Sequence, residues 1–236
     1  MLFRSGRIDL GLGRAPGTDQ ATMRALRRNL HASDQQFPQD VVELLNYFEP
    51  AEVRRSVHAF PGEGAQVPVW ILGSSLFGAS LAAELGLPYA FASHFAPGDL
   101  LHALDVYRKN FKASKYLDSP YVMAGLNVFA ADTDEEANYY ASSMQQSFVR
   151  LRSGTPGKLA PPVEGYLENL GAAEQAILRQ VLRFAAIGSP ATVARKITDF
   201  LDFTQVDELM LTGMIHDLEP RLRSYEIAAD VVAGLA

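Results

Sequence analysis

Val67-Pro68-Val69-Trp70-Ile71-Leu72-Gly73-Ser74-Ser75-Leu76-Phe77-Gly78-Ala79-Ser80-Leu81-Ala82-Ala83-Glu84-Leu85-Gly86-Leu87-Pro88 holds a complete strand, turn and helix, and that order decides the fold class. Val67 to Gly73 is a short apolar run rich in β-branched and aromatic residues, which reads as a buried strand. Leu76, Ala79, Ala82 and Leu85 then share one face at helical spacing, Gly86 stands where a helix stops, and Pro88 follows. Outward from this unit the alternation repeats. Ile8 to Gly13, Pro88 to Phe95, Tyr121 to Ala130 and Val206 to Ile215 read as further strands. After the third strand, Leu100, Leu104, Tyr107 and Phe111 make a helical stripe. After the fourth, Thr133 with Glu136 three residues on has capping-box spacing and opens a helix towards Arg150. After the fifth comes a last helix from about Glu219, with Leu222, Tyr225, Ala229 and Val232 on its inner face. Two more stripes lie between strands: Phe37, Val41, Leu44, Leu45 and Phe48, then Val193, Ile197, Phe200 and Leu201 behind a Ser189 cap and Pro190.

Each strand of such a chain returns in the same direction through a helix, so the sheet is parallel. An open doubly wound sheet and an eight-stranded (β/α)8 barrel both satisfy that rule. The first strand begins almost at Met1 and helices are inserted at several places, which favours a barrel lacking its opening units. Residues 153 to 168, with Gly154, Pro156, Gly157, Pro161, Pro162 and Gly165, form the long irregular stretch of the chain. A loop of that length in a compact domain is usually functional or mobile.

Composition narrows the partners. With 48% hydrophobic and 20% charged residues over 236 positions, the chain is globular and large enough for a substantial core. The formal net charge is −6 and the basic residues are scattered, the densest group being Arg24, Arg27 and Arg28. Nucleic acid needs a basic stripe, so it is not an expected partner. Cysteine is absent, which excludes a disulfide frame and thiolate metal sites, and no early apolar stretch has the length of a signal peptide or span. The chain reads as cytoplasmic.

In either architecture ligands bind beyond the carboxyl ends of strands, and three such places carry chemistry. Gly11-Leu12-Gly13-Arg14-Ala15-Pro16-Gly17 closes the first strand with a permanent cation whose planar fork suits phosphate. An isolated strand-end arginine more often pairs with an acidic neighbour, and the glycines only loosely resemble a dinucleotide fingerprint. Gly73-Ser74-Ser75 runs a strand end into a helix amino terminus, where unpaired amides and the helix dipole favour an anion. Taken alone, the serines are better explained as an ordinary helix cap, which needs no ligand. Ser93-His94-Phe95 ends the next strand, and His94 is the candidate catalytic side chain, although a strand-end histidine is more often structural. The histidines His31, His58, His102 and His216 show no ligand spacing, and dipole stabilisation explains Asp132, Asp134, Glu135 and Glu136 better than a metal does. No serine elbow or paired-carboxylate arrangement points to a hydrolase.

Gly6 through Arg14, then Gly73-Ser74-Ser75 with Ala82-Ala83-Glu84-Leu85-Gly86-Leu87-Pro88, then Tyr107-Arg108 and Gly188-Ser189-Pro190, resemble the bacterial luciferase-like flavin monooxygenases. The similarity runs in order over nearly the whole chain. It implies a (β/α)8 barrel that binds reduced FMN, or in one branch the deazaflavin F420, and that activates oxygen or transfers hydride. It implies that Arg14 and Ser74 anchor the flavin phosphate, with Gly73 and Ser75 beside them in the same turn. Gly6 to Gly13 would then be the family's fourth strand, so the first three strand-helix units are expected to be missing from one partial barrel domain, 1–236. Gly13 stands where the luciferases proper have a reactive cysteine, so light emission is not expected. Residues 153–168 would be a lid-like insertion. The expected activity is a flavin-dependent monooxygenase acting with oxygen on a small organic substrate, fed by a separate flavin reductase. A non-catalytic flavin-binding protein and an unrelated doubly wound nucleotide-binding protein are the alternatives. Open sheet edges in a shortened barrel would favour self-association.

Overall fold

Strands form where the apolar runs stand, each shorter than the run that contains it. The computed structural model describes residues 6, 8–14, 33–50 and 57–235. Gly17 of the glycine-rich turn, Arg7, His31 and the Arg24, Arg27, Arg28 group lie outside the described residues. In chain order the elements are β1 (Leu10–Gly13), α1 (Ser33–Tyr47), β2 (Val69–Gly73), α2 (Leu76–Leu85), β3 (Tyr89–Phe91), α3 (Leu100–Asn110), β4 (Val122–Ala130), α4 (Asp134–Arg152), α5 (Ala172–Val181), β5 (Ala186–Gly188), α6 (Pro190–Thr204), β6 (Glu208–Thr212) and α7 (Leu218–Leu235). Two compact units emerge: residues 1–91 with 101–122, and residues 92–100 with 123–236.

In the first unit β2 pairs in parallel with β1 and with β3. Ile71, Tyr89, Leu87, Leu104 and Tyr107 are buried there, together with Ala79, Ala82 and Ala83 of α2. Small side chains let α2 lie close to the sheet, and the predicted face of α3 is the buried one. Tyr107 reconciles its hydroxyl with burial by donating to the Leu87 carbonyl at 2.9 Å and accepting from the Tyr121 amide at 3.1 Å. Gly86 ends α2 in the left-handed conformation, φ 62°, its amide reaching back to Ala82 and Ala83.

In the second unit β4 is flanked in parallel by β5 and β6. Phe129 of β4, Ala141 and Met144 of α4, and Ile215 make a buried cluster, with Tyr140, Phe148, Leu182 and Ile187 packed against it. Thr133 caps α4, its Oγ1 accepting from the Glu136 amide at 3.2 Å. The Glu136 carboxylate accepts from the Tyr140 hydroxyl at 3.0 Å. Three readings need correction. β5 and α5 are additions to the expected elements; β5 is only three residues long, too short for a periodicity to show. The last helix presents the opposite face: Leu222, Tyr225, Ala229 and Val232 are exposed, and Ser224, Ile227 and Ala228 are buried. Its polar contact face reflects a backbone need, since Ser224 Oγ accepts from the Ala130 amide at 2.9 Å at the end of β4.

Asp134 joins two helix starts. Its Oδ1 accepts from the Ser189 amide at 2.6 Å and its Oδ2 from Thr192 Oγ1 at 3.2 Å, so a residue of α4's first turn satisfies one orphan amide at the start of α6 and a hydroxyl of its first turn. The Ser189 backbone N–H above all, then the Ser189 and Thr192 side chains, holds the Asp134 carboxyl below its usual range. A carboxyl depressed on folding adds stability above its unfolded pKa and loses it as pH falls through the folded one. Asp134→Asn is therefore expected to lower the urea midpoint at pH 7, with the gap to the parent closing as pH falls below about 4. A gap that stays constant from neutral to acid pH would contradict this.

Candidate functional site

The register of β1 against β2 places the first two sequence motifs side by side. Leu10, Gly11, Leu12 and Gly13 stand opposite Val69, Trp70, Ile71 and Leu72. Adjacent strands lie about 4.8 Å apart, and the paired run ends with Gly13 opposite Leu72, so Arg14 and Gly73 each follow directly on the same last rung. Gly11 leaves room for its neighbour: a Cβ there would sit 2.8 Å from Leu72 Cδ1. Past the strand end the turn into α2 is tight. A Cβ on Gly73 would stand 3.5 Å from the Gly78 Cα, and the Tyr89 hydroxyl, reaching over from β3, donates to the Ser75 carbonyl at 3.3 Å. Burial pushes the Tyr89 phenol above its ordinary pKa, so it keeps the proton it donates.

Ser75 occupies the cap position in extended conformation, φ −149° and ψ 171°, yet its side chain makes no capping bond. Among the described residues the Ser75 hydroxyl caps none of the first-turn amides, so both can serve another acceptor. No acidic residue occupies that turn, whereas α4 carries Asp134, Glu135 and Glu136 in its own. The positive end of α2 is uncompensated from within the helix. Arg14 adds a full charge to the same place. Its guanidinium carbon lies over the Phe77 ring, 4.0 Å from the centroid, which holds the fork beside the first turn of α2. Phe77 was not legible as a site residue, because an aromatic at the second position of a helix carries no signature of what lies above it. Arg14, Gly73, Ser74 and Ser75 together present a cation, orphan amides and hydroxyls, a donor set that fits a phosphate monoester.

His94 belongs to the second unit, in a turn three residues beyond the end of β3 rather than within the strand. The Ser93 hydroxyl donates to the Gly125 carbonyl at 2.6 Å, and Asn127 Nδ2 donates to the His94 carbonyl at 2.5 Å, fastening the turn to β4. The His94 Nδ1 is buried and has no hydrogen-bond partner among the described residues. Burial lowers the imidazole's pKa, so the ring is neutral at pH 7. It rests against a glycine by necessity: a Cβ on Gly125 would fall 2.1 Å from Nδ1. Gly125→Ala is expected to destabilise the fold by about 1–3 kcal/mol through overpacking, read as a lower urea midpoint. The double change with His94→Ala should recover much of that loss, since the two sites share one space. Additive losses would show that the ring is not the obstacle.

Among the described residues no helix is long and apolar enough to cross a membrane. The chain is 50% identical over 227 residues to the uncharacterized protein YvbT of Bacillus subtilis (strain 168), covering 96% of this chain and 67% of that protein. It is 48% identical over 226 residues to a luciferase-like monooxygenase of Escherichia coli (strain K12), covering 96% and 68%. Of solved structures, apo-MsnO8 superposes with a TM-score of 0.81 at 28% identity, covering 98% of this chain and 72% of that one. The strand-helix alternation and parallel pairing are thus those of the α/β, TIM-barrel fold class. Residues 3–205 match the luciferase-like monooxygenase family, and with relatives this close the chain belongs to that family.

Proposed function

We propose that this chain is a flavin-dependent oxidoreductase that uses reduced FMN and oxygen on a small organic substrate. The observation that carries the reading is the register Gly13 opposite Leu72, which brings Arg14 to the uncompensated amino terminus of α2. In it, Arg14 and Ser74 anchor the phosphate with Ser75 beside them, the α2 amides share its remaining oxygens, and Gly73 lets that group approach the backbone. Reduced FMN, when bound, supplies the electrons with which oxygen is activated. The protein's own part is position, charge neutralisation and exclusion of water. His94 is the candidate for moving a proton, and residues 153–168 act as a lid on a single barrel domain. A separate reductase supplies the reduced flavin, the protein self-associates, and its place is the cytoplasm.

F420 is the competing cofactor. At 20% identity, one structure of this fold is a Baeyer–Villiger monooxygenase in complex with FMN; at 12%, another is an F420-dependent secondary alcohol dehydrogenase. Both cofactors present a phosphate that Arg14 could hold, so calorimetric titration of FMN against F420 is the deciding experiment. Saturable FMN binding followed by oxygen uptake with supplied reduced FMN supports the enzyme. Binding without turnover selects a non-catalytic flavin-binding protein, and binding of neither overturns the reading. Family membership already sets aside an unrelated doubly wound nucleotide-binding protein.

A further inference from the structure

A neutral imidazole holds one proton, on Nδ1 or on Nε2, and the hydrogen bonds around the ring normally decide which. At His94 none does. Nδ1 is sealed and has no partner among the described residues, whereas Nε2 is not enclosed in that way and the residue as a whole is only partly buried. What faces Nδ1 is Gly125. A Cβ built on that glycine would stand nearer to Nδ1 than to any other atom, with the two ring carbons bonded to Nδ1 at 2.9 and 3.1 Å. Such nearly equal distances set the Cα–Cβ direction close to the outward line of the Nδ1 corner, where the nitrogen carries either its lone pair or its proton. Glycine has a hydrogen in that direction. A proton about 1 Å out from Nδ1 would run into it, whereas a bare nitrogen accepts it as a weak Cα–H contact. The proton is therefore excluded from Nδ1 and stays on Nε2, where it can be solvated.

The backbone that carries the ring is fastened to the same strand. Gly125 and Asn127 lie two apart on β4 and so share one face of it. Asn127, 4% exposed, donates from Nδ2 to the His94 carbonyl, and Ser93, 2% exposed, donates its hydroxyl to the Gly125 carbonyl. All four residues belong to the second unit. We propose that His94 is a fixed, neutral hydrogen-bond donor at Nε2, and that Gly125 and Asn127 are the positioning residues that hold it in that form. The inference rests on the flavin reading for what His94 meets, and it narrows the part His94 plays there. The ring offers its Nε2 proton to an oxygen that gains negative charge. It does not serve as a base, because a second proton would have to enter at Nδ1. The lowered pKa of the partly buried ring agrees with that closure.

Long-range nitrogen–proton NMR of the full chain, with no flavin added, reads the tautomer of each histidine ring. At about pH 8.5, where an ordinary imidazole is neutral, His94 should show the Nε2–H form alone, its signals assigned by their loss in His94→Gln. The exposed His102 is the internal reference and should interconvert between both forms. A detectable Nδ1–H population at His94, or the same mixture as at His102, would overturn the proposal. Asn127→Ala should move His94 towards the His102 mixture. A lower thermal transition with the tautomer unmoved would mean that Asn127 only braces the fold, and would end its positioning role. The parent spectrum carries the test alone if Asn127→Ala does not fold. Where FMN binds, oxygen uptake with supplied reduced FMN should fall about tenfold further in His94→Leu than in His94→Gln, whose amide still donates. Equal losses would remove the donor role, whereas failure of FMN to bind would sink the flavin reading and leave the tautomer as measured.

Discussion

Arg14→Ala is expected to weaken FMN binding by about a hundredfold while leaving the fold in place. A hydrogen bond to a charged group contributes about 1.5–3 kcal/mol, and a guanidinium can give phosphate two in parallel. A loss of about 3 kcal/mol is roughly two factors of ten in affinity. Folding should barely notice, because Arg14 is exposed and its contact with Phe77 contributes only about 0.5–1 kcal/mol at such a site. Arg14→Lys separates charge from shape: it keeps the cation and loses the fork, so an intermediate loss of about tenfold is expected. Calorimetric titration of each variant with FMN, beside its thermal transition, reads both quantities. An affinity within about threefold of the parent for Arg14→Ala would remove the phosphate role and the register-based reading with it.

Gly86→Ala is expected to cost about 2–5 kcal/mol, a large part of the ~5–15 kcal/mol that holds an ordinary domain together. Two causes add. Gly86 sits at φ 62°, where an L side chain costs about 1–2 kcal/mol. The new Cβ would also stand within 2.4 Å of the Lys112 carbonyl oxygen and 2.5 Å of the Ser114 Cβ. A backbone oxygen cannot swing aside as a side-chain tip can, so the turn after α3 must move. That movement would loosen the Lys112 amide on the Ala83 carbonyl, 3.0 Å, and Ser114 Oγ on the Gly86 carbonyl, 2.8 Å. Gly157→Ala is the matched control, since nothing lies within 4 Å of the Cβ it would add. Urea unfolding of both should show a much lower midpoint for the first and almost no change for the second. Equal midpoints would mean that the stop signal at Gly86 is conformationally undemanding.

The five expected strands, the helix stop at Gly86 and the cap at Thr133 were all legible in the amino-acid order, whereas Ser189 holds the cap position of α6 without a side-chain capping bond. Each is a local property: a run of apolar residues, a glycine that tolerates positive φ, an oxygen three residues from an amide. The chemistry of Arg14 and of the Gly73-Ser74-Ser75 turn was legible too, as residue types suited to phosphate. Whether they meet was not. Leu10 and Val69 are 59 positions apart along the chain, and no local rule sets which residue of one strand faces which of the other. The register, Phe77 beneath the guanidinium and Tyr89 bracing the turn came only with the tertiary structure. α7 shows the same limit from the other side. Its apolar stripe predicted one face, but packing chose the face with Ser224, whose hydroxyl meets the Ala130 amide, and with the small Ala228. Local sequence thus determined where elements begin and end, because those are decided by neighbours within about one helical turn. Burial and contact between distant residues were decided by the tertiary structure, because they depend on which surfaces satisfy each other's shape and hydrogen bonds once the chain has closed.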